Sequence, residues 1–168
     1  KLDDDEFSRM KQHVVFSRDL LKKTPGIHPL TVDVAAQHHE RIDGSGYPEG
    51  LKGCDICREG KMVAITDVYD AITADRCYHK GLAPTVALKK LLEWSGTHLD
   101  EKLVHTFIRS MGIYPVGSLV MMDSGRLAVV IEASEKDQTR PIVKVVYSTR
   151  LKLYIPAEII DLSKPISQ

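Results

Sequence analysis

The sequence lacks the features that would place it in or across a membrane. No run of 18 or more apolar residues occurs in its 168 residues, so we predict no membrane-spanning segment and no membrane contact. The chain carries no secretory signal and opens on Lys-Leu-Asp-Asp-Asp-Glu without an initiator Met, which suggests a fragment of a longer protein. Basic and acidic residues number 23 each, so no overall positive charge attracts DNA, RNA or anionic lipid.

Cysteine is also scarce. The three residues Cys54, Cys57 and Cys77 cannot build a disulfide framework, and their odd number indicates a reducing compartment, so we expect a cytoplasmic protein. Cys54 and Cys57 have the spacing of half a zinc site or of a redox pair. No second cysteine pair completes a zinc site, and no βαβ pattern surrounds a thioredoxin-like motif. We therefore predict that both are free thiols.

Helical periodicity is present through the first two thirds of the chain. Asp3 is placed to cap a first helix, with acidic residues after it and Lys22 and Lys23 at the other end, where they favour the helix dipole. Apolar residues at helical spacing predict five helices, over residues 3–23, 29–40, 58–75, 84–94 and 100–111.

The character of the sequence changes at Gly112. Short β-branched and apolar runs, separated by polar turns, predict strands over residues 118–122, 127–133, 142–146 and 153–155. We predict a small antiparallel sheet or an SH3-like barrel there, with no His, no Cys and no catalytic constellation. The chain is then mainly α, with a helical domain over residues 1–111 and a β subdomain over residues 112–168, whose role in packing, assembly or partner contact stays open.

The adjacent residues His38 and His39 end an apolar run and are followed by a loop rich in glycine, over residues 41–57. Imidazole together with carboxylate suits Fe, Mn, Ni or Zn. Adjacent helical residues point about 100° apart, so both histidines can bind only if the metal centre lies between them or if there are two metals. Asp67 lies in an apolar stretch, where a buried carboxylate would cost several kcal/mol without a cation or many donors.

Three blocks of sequence resemble one known family. They are Met-Lys-Gln-His at residues 10–13, His-His-Glu-x-x-Asp-Gly-x-Gly-Tyr-Pro at residues 38–48, and Asp-Val-Tyr-Asp-Ala-Ile-Thr-Ala-Asp-Arg at residues 67–76. Together they closely resemble the HD-GYP family, bacterial phosphodiesterases of the second messenger cyclic di-GMP within the HD superfamily of metal-dependent phosphohydrolases. The resemblance implies an HD-superfamily helical bundle and hydrolysis of cyclic di-GMP to pGpG, leaving open whether hydrolysis continues to GMP.

The resemblance also implies roles for particular residues. The metal ligands are His13, His38, His39 and Asp67, and they would hold two or three divalent ions, with Fe or Mn favoured and Ni or Zn tolerated. The catalytic residues are Asp43 and Arg76. The substrate contacts are Gly46, Tyr47, Pro48, Arg76, His79 and Lys80. Besides cyclic di-GMP, the expected partners are signalling proteins such as GGDEF-type cyclases and a second copy of the chain in a homodimer.

One departure from the family matters. No His-Asp dipeptide occurs in the 168 residues, although the family takes central metal ligands from such a pair on an earlier helix. Because the chain opens where the family has sequence that follows the pair, we expect the parent protein to carry it upstream and this stretch alone to have weak or no activity. The alternative is a degenerate domain that binds nucleotide or protein partners without hydrolysis. A hydrolase for another nucleotide is disfavoured by the Gly-Tyr-Pro loop.

Overall fold

The computed structural model describes residues 3–76, 80–134 and 137–164. The chain divides into two compact units. The first contains Lys1–Leu82 and Lys89–Phe107 and is helical, and the second contains Ala83–Leu88 and Ile108–Gln168 and carries the sheet. Because grouping by contact does not show that a segment folds on its own, the predicted domain boundary after residue 111 stays a prediction.

Helix α1 spans Asp4–Lys23 and begins at the predicted cap. The Asp3 side chain accepts a hydrogen bond from the Glu6 backbone N–H at 2.7 Å, and the Glu6 carboxylate accepts one from the Asp3 N–H at 3.0 Å. This reciprocal pair is a capping box, which satisfies two of the backbone donors that a helix leaves unpaired at its start. The acidic first turn and the basic last turn further stabilise the helix through its dipole.

Helix α2 spans Pro29–Gln37 and ends three residues before the predicted end, with His38 as its C-cap. The chain then runs irregularly, through a short 3-10 turn at Gly53–Asp55, into helix α3 at Arg58–Thr73. Helix α4 spans Pro84–Trp94, as predicted, and helix α5 spans Glu101–Met111. Helix α2 packs against both α1 and α3.

The helical unit has an apolar core. Its buried members are Val14, Val32, Ile56, Ala64, Ile65, Leu91, Leu99 and Val104. Cys57 caps α3 through its sulfur, which accepts from the Gly60 N–H, and neither Cys54 nor Cys57 forms a disulfide. Cys77 lies outside the described residues. Across the described residues, every helix is too short or too polar to traverse a lipid bilayer.

The second unit carries strands β1 (Leu119–Met121), β2 (Arg126–Glu132), β3 (Ile142–Ser148) and β4 (Leu153–Asp161). Each strand pairs antiparallel with the next along the chain. Strands β1 and β4 are therefore the two edges of an open four-stranded sheet, and the predicted SH3-like barrel is not confirmed because the sheet does not close. Alternate residues of β2 and β3 form its buried face: Ala128, Val130, Val143 and Val145.

Strand β4 is much longer than the predicted run over residues 153–155. Pro156 lies within it, and proline usually marks the end of a strand because it cannot donate a backbone hydrogen bond. An edge strand tolerates proline, since one row of its backbone groups has no partner strand. The position of β4 in the sheet, which the sequence does not reveal, explains the error.

The capping box yields a test of the first helix. We expect Asp3→Ala to lower the free energy of unfolding by ~1 kcal/mol, because the amide of Glu6 loses its acceptor. The measurement is urea unfolding followed by circular dichroism at 222 nm. Asp5→Ala is the matched control, since Asp5 lies in the same turn without capping it. Equal effects of the two changes would contradict the assignment of the cap.

Candidate metal centre

Three histidines converge in the helical unit. His13 comes from α1, His38 is the C-cap of α2, and His39 follows it in the turn after the helix. One ligand nitrogen from each lies within 4.8 Å of the others, and all three side chains are partly buried. The ring centroids of His38 and His39 are 4.2 Å apart. Adjacent residues of a helix point about 100° apart, which would limit the two histidines as ligands of one metal. Because α2 ends at Gln37, this limit does not apply to His39.

Backbone carbonyls orient two of the three rings. The Nδ1 atom of His13 lies 2.6 Å from the carbonyl oxygen of Met10, and Nδ1 of His38 lies 2.9 Å from that of Ala35. A carbonyl only accepts, so each Nδ1 carries the proton and donates, which leaves the lone pair of Nε2 for a metal. Hydrogen bonding to the far ring nitrogen is how proteins usually fix a metal-binding histidine.

His39 is the most electrostatically perturbed of the three. Several effects together lower its pKa from 6.5 to about 4: burial is the largest, His38 and His13 add to it, and Asp67 opposes the shift. The neutral imidazole is the form that binds a metal. The site therefore keeps His39 ready as a ligand at neutral pH.

Asp67 lies beside this cluster, but not as predicted. Its Oδ2 atom is 3.7 Å from Nδ1 of His39, and its side chain is 45% exposed. The expectation that Asp67 is buried among apolar residues, and needs a cation for that reason, is wrong. Helix α3 turns this position toward the opening, where water can solvate the carboxylate. Its place next to His39 keeps Asp67 as a predicted ligand.

The Gly46-Tyr47-Pro48 segment, here termed the wall, places the Tyr47 ring beside the histidine cluster. A Cβ at position 46 would overlap the backbone nitrogen of Arg41 and lie 2.5 Å from Cα of Glu40, so only glycine allows this approach. The Tyr47 N–H donates to the carbonyl of His39 at 3.2 Å. The Tyr47 ring stacks on the His39 ring with centroids 4.8 Å apart and planes at 28°. The substrate contacts expected of Gly46, Tyr47 and Pro48 stay predictions, and the structure adds that the Tyr47 ring rests on a histidine of the cluster.

Sequence reasoning missed the role of Glu40. This side chain is 4% exposed, and its carboxylate accepts hydrogen bonds from three consecutive backbone amides of the loop. Oε1 accepts from Glu49 at 2.8 Å and Gly50 at 3.1 Å, and Oε2 accepts from Leu51 at 2.9 Å. A carboxylate directly before a glycine-rich loop with many unpaired N–H groups was the available signal.

The remaining predicted residues have less direct positions. Asp43 is exposed; its Oδ1 accepts from the Ser45 N–H at 2.8 Å, and its Oδ2 lies 3.8 Å from Nε2 of His98. The hydrogen bonds with Ser45 hold the pKa of Asp43 below its ordinary value, so this carboxylate orders the loop in charged form. Arg76 and Lys80 are exposed, and their substrate contacts stay predictions. His79 lies outside the described residues.

A pocket of about 320 Å³ opens over the cluster within the helical unit. His38, His39 and Tyr47 line one part of it, and Trp94 and His98 line another. Phe7 and Arg41 also border the pocket, so its lining combines aromatic rings with one guanidinium group, Glu40 and three aliphatic residues, Ala64, Val68 and Leu99. Such a lining can stack a flat ring beside a metal.

Comparison with known families agrees with this geometry. The family model described as "HD domain" matches residues 1–103, more than half of the chain. The chain belongs to the HD domain family. Within the HD domain, the three histidines and Asp67 offer the nitrogen and oxygen donors that a divalent transition metal takes, so the residues present fit a metal site.

The chain is similar in sequence to phosphodiesterases that are named for different cyclic dinucleotides. The chain is 43% identical over 164 residues to a cyclic di-GMP phosphodiesterase of Pseudomonas aeruginosa, an alignment that covers 98% of the chain and 39% of that protein. It is 36% identical over 109 residues to a 3'3'-cGAMP-specific phosphodiesterase of Vibrio cholerae, covering 64% of the chain and 21% of the relative. The chain thus spans less than half the length of these relatives.

A solved structure supports the fold. An HD-GYP-type protein from Bdellovibrio bacteriovorus matches with a TM-score of 0.52 at 18% sequence identity, over 62% of this chain and 33% of the other. At that identity the match concerns the fold alone. It agrees with the helical HD-domain architecture described above.

The close approach at position 46 yields a test. We expect Gly46→Ala to lower the free energy of unfolding by about 1–3 kcal/mol, because the added methyl group forces the loop away from residues 40 and 41. The loss of the stacked Tyr47 should appear in NMR as a shift of the His39 ring signals. Ser45→Ala is the control, since the backbone of Ser45 still bonds to Asp43. An unmoved ring signal in Gly46→Ala would contradict the steric argument.

Proposed function

We propose that the protein containing this chain is a metal-dependent phosphodiesterase that hydrolyses cyclic di-GMP to pGpG and acts as the output domain of a bacterial signalling protein. The observation that carries the proposal is the cluster of His13, His38 and His39 beneath an aromatic pocket. Membership of the HD domain family supports it, as does the similarity to several proteins that are named cyclic di-GMP phosphodiesterases.

The proposed ligands are His13, His38, His39 and Asp67. Divalent metal ions, when bound, lower the pKa of water and neutralise charge on a phosphate. Fe or Mn in two or three sites suits the mixed nitrogen and oxygen donors, and Ni or Zn is accommodated as well. The protein's own part is to present Nε2 of His13 and His38 in fixed directions, through the carbonyls of the preceding helical turns.

The walls of the pocket would bind the nucleotide. The Tyr47 and Trp94 rings and the neighbouring Phe7 offer faces on which guanine can stack. Arg41 borders the pocket, and its guanidinium group can pair with a phosphate by two hydrogen bonds. Arg76, Lys80 and His79 are proposed as further phosphate contacts, and Asp43 as the residue that keeps the loop in shape.

Binding without hydrolysis is the alternative. The observation that favours it is the missing His-Asp dipeptide in these 168 residues. Under this alternative the same pocket takes cyclic di-GMP and signals through a partner such as a GGDEF-type cyclase or a second copy of the chain. Turnover separates the two candidates, because both predict nucleotide binding.

A pair of histidine variants tests the metal site. We expect His38→Ala to lose at least half of the bound metal and to reduce hydrolysis of cyclic di-GMP by roughly a hundredfold or more, as loss of about 2.7 kcal/mol of transition-state stabilisation would. Metal content is measured by mass spectrometry of the elements, and product by chromatography. His105→Ala is the matched control, because His105 is exposed on α5. Equal metal content in the two variants would contradict the ligand assignment.

The identity of the substrate is tested on the full-length protein loaded with Mn or Fe. We expect cyclic di-GMP to be hydrolysed with a kcat/KM at least tenfold above that of 3'3'-cGAMP. The reverse preference would replace the substrate and keep the reaction class. Tight binding of cyclic di-GMP with no pGpG formed would establish the binding alternative instead.

A further inference from the structure

We propose that Glu40 is a positioning residue of the nucleotide site, acting through Tyr47. Its buried carboxylate holds the loop so that the tyrosine ring stays stacked on His39. The kinetic consequence of this inference rests on the proposed function. The structural consequence, the position of the wall, does not.

Both carboxylate oxygens of Glu40 accept hydrogen bonds from the loop. Glu40 is 4% exposed and accepts three hydrogen bonds from consecutive N–H groups at residues 49–51. Hydrogen bonds to an ionised acceptor are about twice as strong as neutral ones. A buried charge would otherwise strongly disfavour folding, so the native loop and the charged side chain stabilise each other.

The loop contacts Glu40 on both sides of Tyr47 and Pro48. Gly46 abuts the backbone of Glu40, since a Cβ there would lie 2.5 Å from the glutamate Cα. The N–H groups of residues 49–51 bind the side chain of the same glutamate. Tyr47 and Pro48 are the two residues between these contacts, so both ends of the wall are fixed to one residue.

Glu40 is also adjacent in sequence to the histidines of the proposed metal site. Glu40 directly follows His39, whose carbonyl accepts from the Tyr47 N–H and whose ring stacks on the tyrosine. Gln37, on the other side of the histidine pair, accepts from the Cys57 N–H at 2.7 Å and fixes the far end of the loop. The histidine pair is thus flanked by the two side chains that anchor the loop. Of the two, only Glu40 encloses the wall.

Glutamine cannot take over this role, because a carboxamide has one accepting oxygen. If the carboxamide oxygen faces the N–H groups of Glu49 and Gly50, the NH₂ group faces the N–H of Leu51, and two donors then oppose each other. In the opposite orientation, the NH₂ group faces the N–H groups of both Glu49 and Gly50. Glu40→Gln is therefore a nearly isosteric change that removes at least one loop hydrogen bond. Glu40→Asp keeps both oxygens but withdraws them, and we expect a smaller effect in the same direction.

The kinetic experiment uses a double-mutant cycle in the full-length, metal-loaded protein. We expect Glu40→Gln to lower kcat/KM for cyclic di-GMP roughly tenfold, mainly through KM, as loss of one charge-assisted hydrogen bond would. Metal content should stay at the wild-type value. In the Tyr47→Ala background the same change should have little further effect, because the residue through which Glu40 acts is gone.

The matched control is Glu49→Gln. Glu49 lies in the same loop, but its side chain is 59% exposed and pairs with Arg18, so this change also removes a loop charge without touching the wall. We expect wild-type kinetics within twofold. Fully additive effects of Glu40→Gln and Tyr47→Ala, or loss of metal in Glu40→Gln, would overturn the positioning role.

A second measurement needs no turnover. In amide hydrogen exchange, the N–H groups of residues 49–51 should exchange at least tenfold faster in Glu40→Gln than in wild type or Glu49→Gln, while Val14 in α1 stays protected. If wild type hydrolyses no cyclic di-GMP, the proposed function fails, and the exchange rates with the Tyr47 ring signals still decide the inference. Unchanged exchange and ring signals would overturn it. If Glu40→Gln does not fold, Glu40→Asp carries both measurements.

Discussion

The contact between the loop and the chain at residues 40 and 41 is the constraint on which the site depends. Gly46 lies against this backbone with no space for a side chain, and the Glu40 carboxylate binds the N–H groups that follow the wall. Because both contacts involve a residue adjacent to His39, the metal cluster and the nucleotide wall share one local framework. A shift of the loop would therefore move Tyr47 relative to the metal ligands, and not only relative to solvent.

Much of the helical unit could be predicted because its signals are local. A cap such as Asp3, with Glu6 three residues later, determines where a helix begins through bonds within one turn. Proline at the start of α4 has the same effect, and its predicted bounds agree with the structure. The wall at Tyr47 was predicted from the family motif, and its contact with His39 is consistent with that interpretation.

The predictions from the sequence are wrong where contacts with distant parts of the chain determine the local structure. Helix α2 ends at Gln37 because the following residues bond to the loop, and the apolar pattern before His38 contains no sign of this. Asp67 has an apolar sequence context yet lies at an opening of the fold. The length of β4 depends on its being an edge strand. Of the two predicted arrangements, the antiparallel sheet is present and the closed barrel is not confirmed, because pairing between β1 and β4 is a long-range property. Glu40 escaped notice because its partners are nine to eleven residues away.

The electrostatics of the pocket explain why a protein without net charge would need metal to hold an anionic nucleotide. Burial, with a smaller contribution from His38, lowers the pKa of His39 to about 4, so at neutral pH this ring contributes no positive charge, and the side chain of Asp67 lies beside it. Tyr47 adds none, since burial raises the pKa of its phenol.

Of the residues that line the pocket, Arg41 alone carries a permanent positive charge. The arrangement that makes the histidines good ligands therefore leaves the lining of the pocket with one positively charged group for a phosphate, and Lys11, whose Nζ lies 5.3 Å from the centre of the Tyr47 ring, is a neighbouring cation. Divalent ions reverse the sign of such a site, because they are its largest local charges. Under the proposed function, nucleotide affinity is then coupled to metal occupancy, and the aromatic wall contributes stacking that does not depend on it.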